Sequence, residues 1–95
     1  MFDWDLQKAK ANQLKHGVSF EEAATAFLDP DGLDGEDLGH SLGEPRRLRL
    51  AKSSTGRVLV IAYTERRRGH EEITRIISAR RASRKERKSY EAKED

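Results

Sequence analysis

Apolar residues recur along this chain with two different periods, and the change between them divides it into two regions. In residues 20–28, Phe20, Ala23, Ala24, Phe27 and Leu28 fall at i, i+3, i+4, i+7 and i+8, the spacing of one helix face. Ser19 followed by Glu22 makes a capping box at its start, and Asp29-Pro30-Asp31-Gly32 supplies turn chemistry at its end. Residues 6–16 hold no helix breaker and are mostly good helix formers. Leu6, Ala9 and Leu14 lie loosely on one side of this helix, interrupted by Gln13, with Gly17 just past its end. Ahead of it, Phe2-Asp3-Trp4 predicts an edge strand or anchored arm, with Asp3 or Asp5 as the helix cap.

Beyond residue 45 the period becomes two. Leu48 and Leu50 alternate with Arg47, Arg49 and Ala51, which predicts a half-buried strand with a basic outer face. Ser53-Ser54-Thr55-Gly56 reads as a hairpin turn, and residues 57–65, apolar on both sides from Val58 to Ala62, read as a central strand. Ile73, Ile76 and Ile77 place a further strand at 71–79, across the polar connector ERRRGHEE. Short connections between consecutive strands favour an antiparallel meander. The acidic, glycine-bearing stretch 33–45 reads as a surface loop with at most a short strand near Leu33. Ser83 and Glu86 form a second capping box, opening a polar helix with almost no apolar face apart from Ala82 and Tyr90. The expected class is α+β: one domain over residues 1–95, with an antiparallel sheet of three to four strands, two N-terminal helices on one face and a C-terminal helix.

Composition narrows the chemistry. A chain of 95 residues supports one modest core, so a binding surface is favoured over a deep cavity between lobes. There is no cysteine, which excludes disulfides, thiol nucleophiles and cysteine-ligated metals. No apolar run approaches the roughly 20 residues that span a bilayer, and the N-terminus lacks the order of a signal peptide, so the expected location is cytoplasmic, without membrane contact. Residues 1–45 carry 3 Lys+Arg against 10 Asp+Glu, whereas residues 46–95 carry 16 against 7. Such halves either neutralise one another in the fold or leave a basic face for nucleic acid. Arginine is densest from Arg66 to Arg87.

The motifs KHGVSF at 15–20, YTER at 63–66 and ITRIISARRASRKER at 73–87 carry a resemblance to the BrnT toxins, the ribonuclease half of BrnT/BrnA type II toxin–antitoxin systems. The opening FDWD, the SFEEAA helix ending in DP and the His40 loop before Gly43-Glu44 extend it nearly end to end. The resemblance implies a RelE-like fold and an endoribonuclease that inhibits translation. It also implies neutralisation by a BrnA-like antitoxin with a ribbon-helix-helix domain, through which alone the toxin would meet DNA.

RNA carries its own nucleophile in the 2′-hydroxyl, so cleavage needs a base, cations for the phosphate and optionally an acid for the leaving oxygen. No cofactor is required, and the carboxylates of the 29–44 stretch lack the spacing of a metal cage, so no metal ligands are assigned. Glu65 and His16 are the candidate bases. Glu65 shares a strand face with Tyr63 and Arg67, but an ordinary salt bridge would look the same in sequence. Histidine as a residue type suits acid–base work, but at a helix end His16 can equally serve the dipole or pack against Phe20. Arg80 is the leading phosphate ligand: it follows an apolar strand, with Ser78 and Ile76 expected on its face, and lies in the strongest part of the motif. The catalytic set is therefore Glu65, Arg67, Arg80 and His16, with the first three expected together at the ends of adjacent strands. Lys15, Arg66, Arg81 and Arg84 are expected to extend the substrate track, and each could instead be a solvated surface cation. His40 and His70 are assigned no role. The alternative is a module that binds nucleic acid or antitoxin and cuts nothing.

Overall fold

A computed structural model describes residues 1–37, 39 and 45–94, with the side chains of Lys93 and Glu94 excepted. The chain runs β1 (Phe2–Asp3), α1 (Leu6–His16), α2 (Phe20–Thr25), a 3-10 turn (Ala26–Leu28), β2 (Leu33–Glu36), β3 (Arg47–Lys52), β4 (Val58–Arg68), β5 (Glu71–Arg81) and α3 (Arg84–Glu94). These strands make one five-stranded sheet in the order β1-β5-β4-β3-β2. The sheet is mixed: β2 to β5 form the antiparallel meander, and β1 pairs in parallel with β5 through Phe2 opposite Thr74. It has one strand more than the three to four expected, and the two short edge strands lie where the sequence offered an edge strand or arm at Phe2-Asp3-Trp4 and a short strand near Leu33.

The helix boundaries follow from their caps. Asp5 accepts from the Lys8 amide at 3.0 Å, and Gly17, at φ 68°, sends its own amide back to the Gln13 carbonyl. The face of α1 that meets the sheet is not the one suggested by Leu6 and Leu14, which are 73% and 90% exposed; Asn12 is its buried residue. Likewise α2 tightens into the 3-10 turn, and Leu28, the last position of the apolar series, is 84% exposed.

The core joins Val18, Phe20, Ala23 and Ala26 to Ala51, Leu59, Ile61, Ile76 and Ala79 on one sheet face, with Trp4 edge-on to Phe20. This inverts the expected sides of β3. Arg49 and Ala51 face the core, while Leu48 and Leu50 face away. Arg49 is tolerated there because every arm of its guanidinium has a partner: Asp34 at 2.6 Å, the Ala26 carbonyl at 3.1 Å and the Asp29 carbonyl at 2.8 Å, with the Phe27 ring beneath it. A second departure lies in β5. The register slips between Ala62 and Tyr63, so Ser78 stands opposite Ala62 while Ile76 stands opposite Tyr63. This bulge puts Ile76 in the core and leaves Ser78 and Arg80 on the other face, so Arg80 shares its side with Ser78 but not with Ile76.

Candidate functional site

On the face opposite α1 and α2, two cross-strand rows run over β3, β4 and β5: Leu48, Ala62 and Ser78, then Leu50, Val60 and Arg80. They floor two adjoining hollows. One, of about 360 Å³, is lined by Arg46, Leu48, Val60, Ala62, Ile77 and Arg80 among others. The other, of about 270 Å³, includes Leu33, Leu48, Leu50, Val60 and Glu86. Arg80 and Glu86 face each other between them, Nη1 to Oε1 at 2.8 Å and Nη2 to Oε2 at 2.9 Å, a fork held square to a carboxylate.

Local sequence fixes this pair. Arg80 ends a strand locked into register with Val60, and Glu86 is held by the capping box of α3, where it accepts from the Ser83 amide at 2.7 Å while Ser83 Oγ accepts from the Glu86 amide. The Arg80 guanidinium beside Glu86 holds its carboxyl down at about 2, with the Ser83 bonds adding to the effect. The pair is accessible, at 44% and 33% side-chain exposure. Glu86 was legible in the sequence only as a helix cap. Its second partner, six residues upstream across the strand end, depends on how α3 turns back over the sheet.

The other expected residues divide between the two ends of the molecule. Glu65 stands opposite Thr74 and Arg80 opposite Val60, so five residues of β4, roughly 17 Å at strand rise, lie between them. Residues 60 and 65 of β4 also point to opposite faces. The fold therefore does not bring Glu65 and Arg67 to Arg80: antiparallel strands end at opposite ends of a hairpin. Glu65, Arg66 and Arg67 sit instead with Glu72 on an exposed two-stranded arm. There Arg67 pairs with Glu72 at 3.4 Å, and the acids of the return strand stand opposite the arginines of the outgoing one. Nearby, Arg47 donates to Tyr63 at 3.3 Å and Tyr63 donates to Asp34 at 2.6 Å; burial, then the Asp34 bond, pushes the Tyr63 hydroxyl up to about 12.

His16 and Lys15 close α1 on the core side of the sheet. Asn12 ties that helix to Ala79, and Arg57 donates to the Gly17 carbonyl at 3.1 Å, so the helix end lies beside the start of β4 and the end of β5. Arg81, opposite Leu59, faces this same side, whereas Arg80 faces the hollows. Arg84 opens α3, the helix between them. Lys15, His16, Arg80, Arg81 and Arg84 therefore share one end of the sheet without sharing one face. The His40 loop, which carries part of the resemblance and is assigned no role, lies outside the described residues.

Comparison with known proteins fits this architecture. The crystal structure of the Brucella abortus ribonuclease toxin BrnT superposes with a TM-score of 0.55 at 21% identity, covering 88% of this chain and 99% of that one, a likeness in fold. No curated protein sequence matches the chain. Among the described residues, no helix is long and apolar enough to cross a membrane. A family model described as "Ribonuclease toxin, BrnT, of type II toxin-antitoxin system" matches residues 4–86. The chain belongs to the BrnT family of ribonuclease toxins of type II toxin–antitoxin systems.

Proposed function

We propose that this protein is a metal-independent endoribonuclease whose phosphate ligand is Arg80 and whose proton acceptor is Glu86. The carrying observation is the accessible Arg80–Glu86 fork between two apolar-floored hollows. A partly exposed ion pair contributes only about 0–1 kcal/mol, so a phosphodiester, offering the same two-oxygen geometry, can take the guanidinium from Glu86 at little cost. Losing Arg80 raises the basicity of Glu86, which is otherwise too weak a base at about 2. Glu86 then accepts the 2′-hydroxyl proton, the 2′-oxygen bonds to phosphorus, and the bond to the 5′-oxygen breaks, that oxygen taking a proton from solvent. The products are a 2′,3′-cyclic phosphate and a 5′-hydroxyl. Leu48, Leu50, Val60 and Ala62 supply the apolar floor against which bases lie.

His16, Glu65 and Arg67 stand outside this arrangement, and the substrate track is assigned to Arg81 and Arg84. A RelE-like mode of translation inhibition and neutralisation by a ribbon-helix-helix antitoxin complete the reading, supported by family membership. The same closed fork favours a second reading, in which Arg80–Glu86 is purely structural and the protein binds without cutting. Purified protein incubated with RNA and a chelator separates the two. Cleavage that survives chelation, stops with a single 2′-deoxy substitution at the cut site, and falls at least about 100-fold in both Arg80→Ala and Glu86→Gln supports catalysis. Gln retains the acceptor needed by the Ser83 amide, so full activity in Glu86→Gln with an intact fold would remove Glu86 from the mechanism.

A further inference from the structure

The hollow of about 360 Å³ beside Arg80 is closed on the side away from it by two side chains of opposite charge, Asp37 and Arg46. Register puts them there. Glu36 stands opposite Arg47, and the Asp37 amide donates to the Arg46 carbonyl at 3.0 Å, so the pairing of β2 with β3 continues one step past both strands. Leu48 and Leu50 face the hollows, and by alternation Arg46 shares their side, with Asp37 as its cross-strand neighbour. Between this charged step and the row that ends in Arg80 runs the row of Gly35, Leu48, Ala62 and Ser78. Glycine, alanine and serine reach little above a sheet, which leaves the space open. Arg46 is half-buried and joins no ion pair among the described residues. Asp37 is already engaged elsewhere, but a carboxylate offers about four lone-pair sites, so one partner leaves others to accept.

The order of donors and acceptors selects the ligand. A volume of this size is small for a ligand site and suits a single nucleobase, and Leu48, Val60, Ala62 and Ile77 give its ring an apolar floor. A phosphate at this end would meet the Asp37 carboxylate, and like charges repel. A neutral base escapes that penalty. Arg46 presents a fork of donors, which matches two adjacent acceptors, and Asp37 presents acceptors, which match two adjacent donors. Guanine is the RNA base that has both, N7 and O6 along one edge and N1–H with the N2 amine along the next. These edges meet at O6, so the groups that read them have to stand side by side, as cross-strand neighbours do. Adenine carries an amine in place of O6 and would turn a donor toward the guanidinium.

We propose that this hollow receives a guanine of single-stranded RNA next to the bond cut at Arg80, with Arg46 reading N7 and O6 and Asp37 reading N1–H and the N2 amine. The choice of an RNA base rests on the ribonuclease reading, so the test measures binding alone, on probes that cannot be cut. Short fluorescent 2′-O-methyl oligouridines carrying one central guanine, adenine, hypoxanthine or 7-deazaguanine are compared by anisotropy. The guanine probe should bind about tenfold or more tightly than the adenine probe. Hypoxanthine, which lacks the N2 amine, and 7-deazaguanine, which lacks N7, should each lose severalfold against guanine. Arg46→Lys keeps the charge without the fork and should bring guanine and 7-deazaguanine to equal affinity. Asp37→Ala removes the acceptors and should do the same for guanine and hypoxanthine. Equal affinity of the unaltered protein for the guanine and adenine probes would overturn the proposal, whatever the variants do. So would unaltered ratios in both variants, with circular dichroism showing the native fold. A guanine preference in a protein that cuts no RNA would refute the ribonuclease mechanism and leave the base assignment standing; cleavage of RNA with no guanine preference in binding would do the reverse.

Discussion

A primary amide has one donor and one acceptor side, the same pair that a strand offers its neighbour, and Asn12 uses both on Ala79. Its Nδ2 donates to the Ala79 carbonyl at 2.8 Å and to the Val18 carbonyl at 3.0 Å, while its Oδ1 accepts from the Ala79 amide at 3.1 Å. Because β1 pairs with β5 only at Thr74 and Arg75, the amide stands in for a strand further along that edge. It also sets the slide of α1 along β5, and with it the place of Lys15 and His16. Asn12→Ala would strip partners from three buried backbone groups, each costing about 1–3 kcal/mol when unsatisfied, with the sum reduced by relaxation and water entry. We expect a loss of about 2–4 kcal/mol in urea unfolding; a change below about 0.5 kcal/mol would mean that the amide contributes no net stability. Sequence could not show this residue. In a helical pattern, Asn12 reads as polar and outward, and its partner lies 67 positions away.

Elements were legible where a local signal fixed them, and illegible where a distant partner did. The caps at Asp5, Ser19 and Ser83 and the turn at 53–56 each place a boundary from a few residues. The sides of β3 could not be read that way, since alternating Leu and Arg predict leucine inside unless something receives a buried guanidinium. Asp34 and the carbonyls of Ala26 and Asp29 do so. The bulge in β5 inserts one residue and changes which side chains join Arg80, a shift that no period-two pattern announces. Glu22 is similar. In the capping box, Ser19 Oγ does accept from the Glu22 amide, but the Glu22 carboxylate reaches across to Arg57, Ser53 and Thr55, binding the β3–β4 turn to α2. The Arg57 bond holds its carboxyl down at about 2 against a usual 4.5, with the hydroxyls helping. A depressed carboxylate stabilises the fold above its unfolded value and loses that contribution as pH falls through its folded one. Stability should therefore decline as pH drops from about 4.5 toward 2, with Glu86 adding to the same window. Glu22→Gln should destabilise at neutral pH by about 1–3 kcal/mol and flatten part of that decline. An unchanged acid profile in thermal melts of the variant would show that the turn is held by other contacts.

At the scale of the whole molecule, the opposed charges of the two halves are in part spent on each other. Asp3 pairs with Arg75, Glu22 with Arg57 and Asp34 with Arg49, each joining an acid of the first half to an arginine of the second. The arginine triplet that dominates the sequence is also balanced: Arg66, Arg67 and Arg68 share their arm with Glu65, Glu71 and Glu72, and Arg67 and Arg68 stand opposite the last two. The surplus positive charge lies elsewhere, on α3 and the strand ends around it, where Arg81, Arg84, Lys85, Arg87 and Lys88 have Glu86 and Glu91 as the nearby acids in sequence. Nucleic acid responds to net local charge rather than to arginine count, and an exposed pair is half neutralised before any phosphate arrives. Replacing Arg67 and Arg68 together by Gln should therefore leave affinity for a single-stranded oligonucleotide within about twofold, since the arm then turns net acidic but lies far from the bound strand. Replacing Arg84 and Arg87 together by Gln, the same change in total charge, should weaken it about tenfold or more at moderate ionic strength. Both variants alter the net charge of +2 equally, so a difference between them isolates position from total. If the arm variant lost as much affinity as the helix variant, RNA would be following the hairpin, and the site would have to move to the Glu65 end of the sheet.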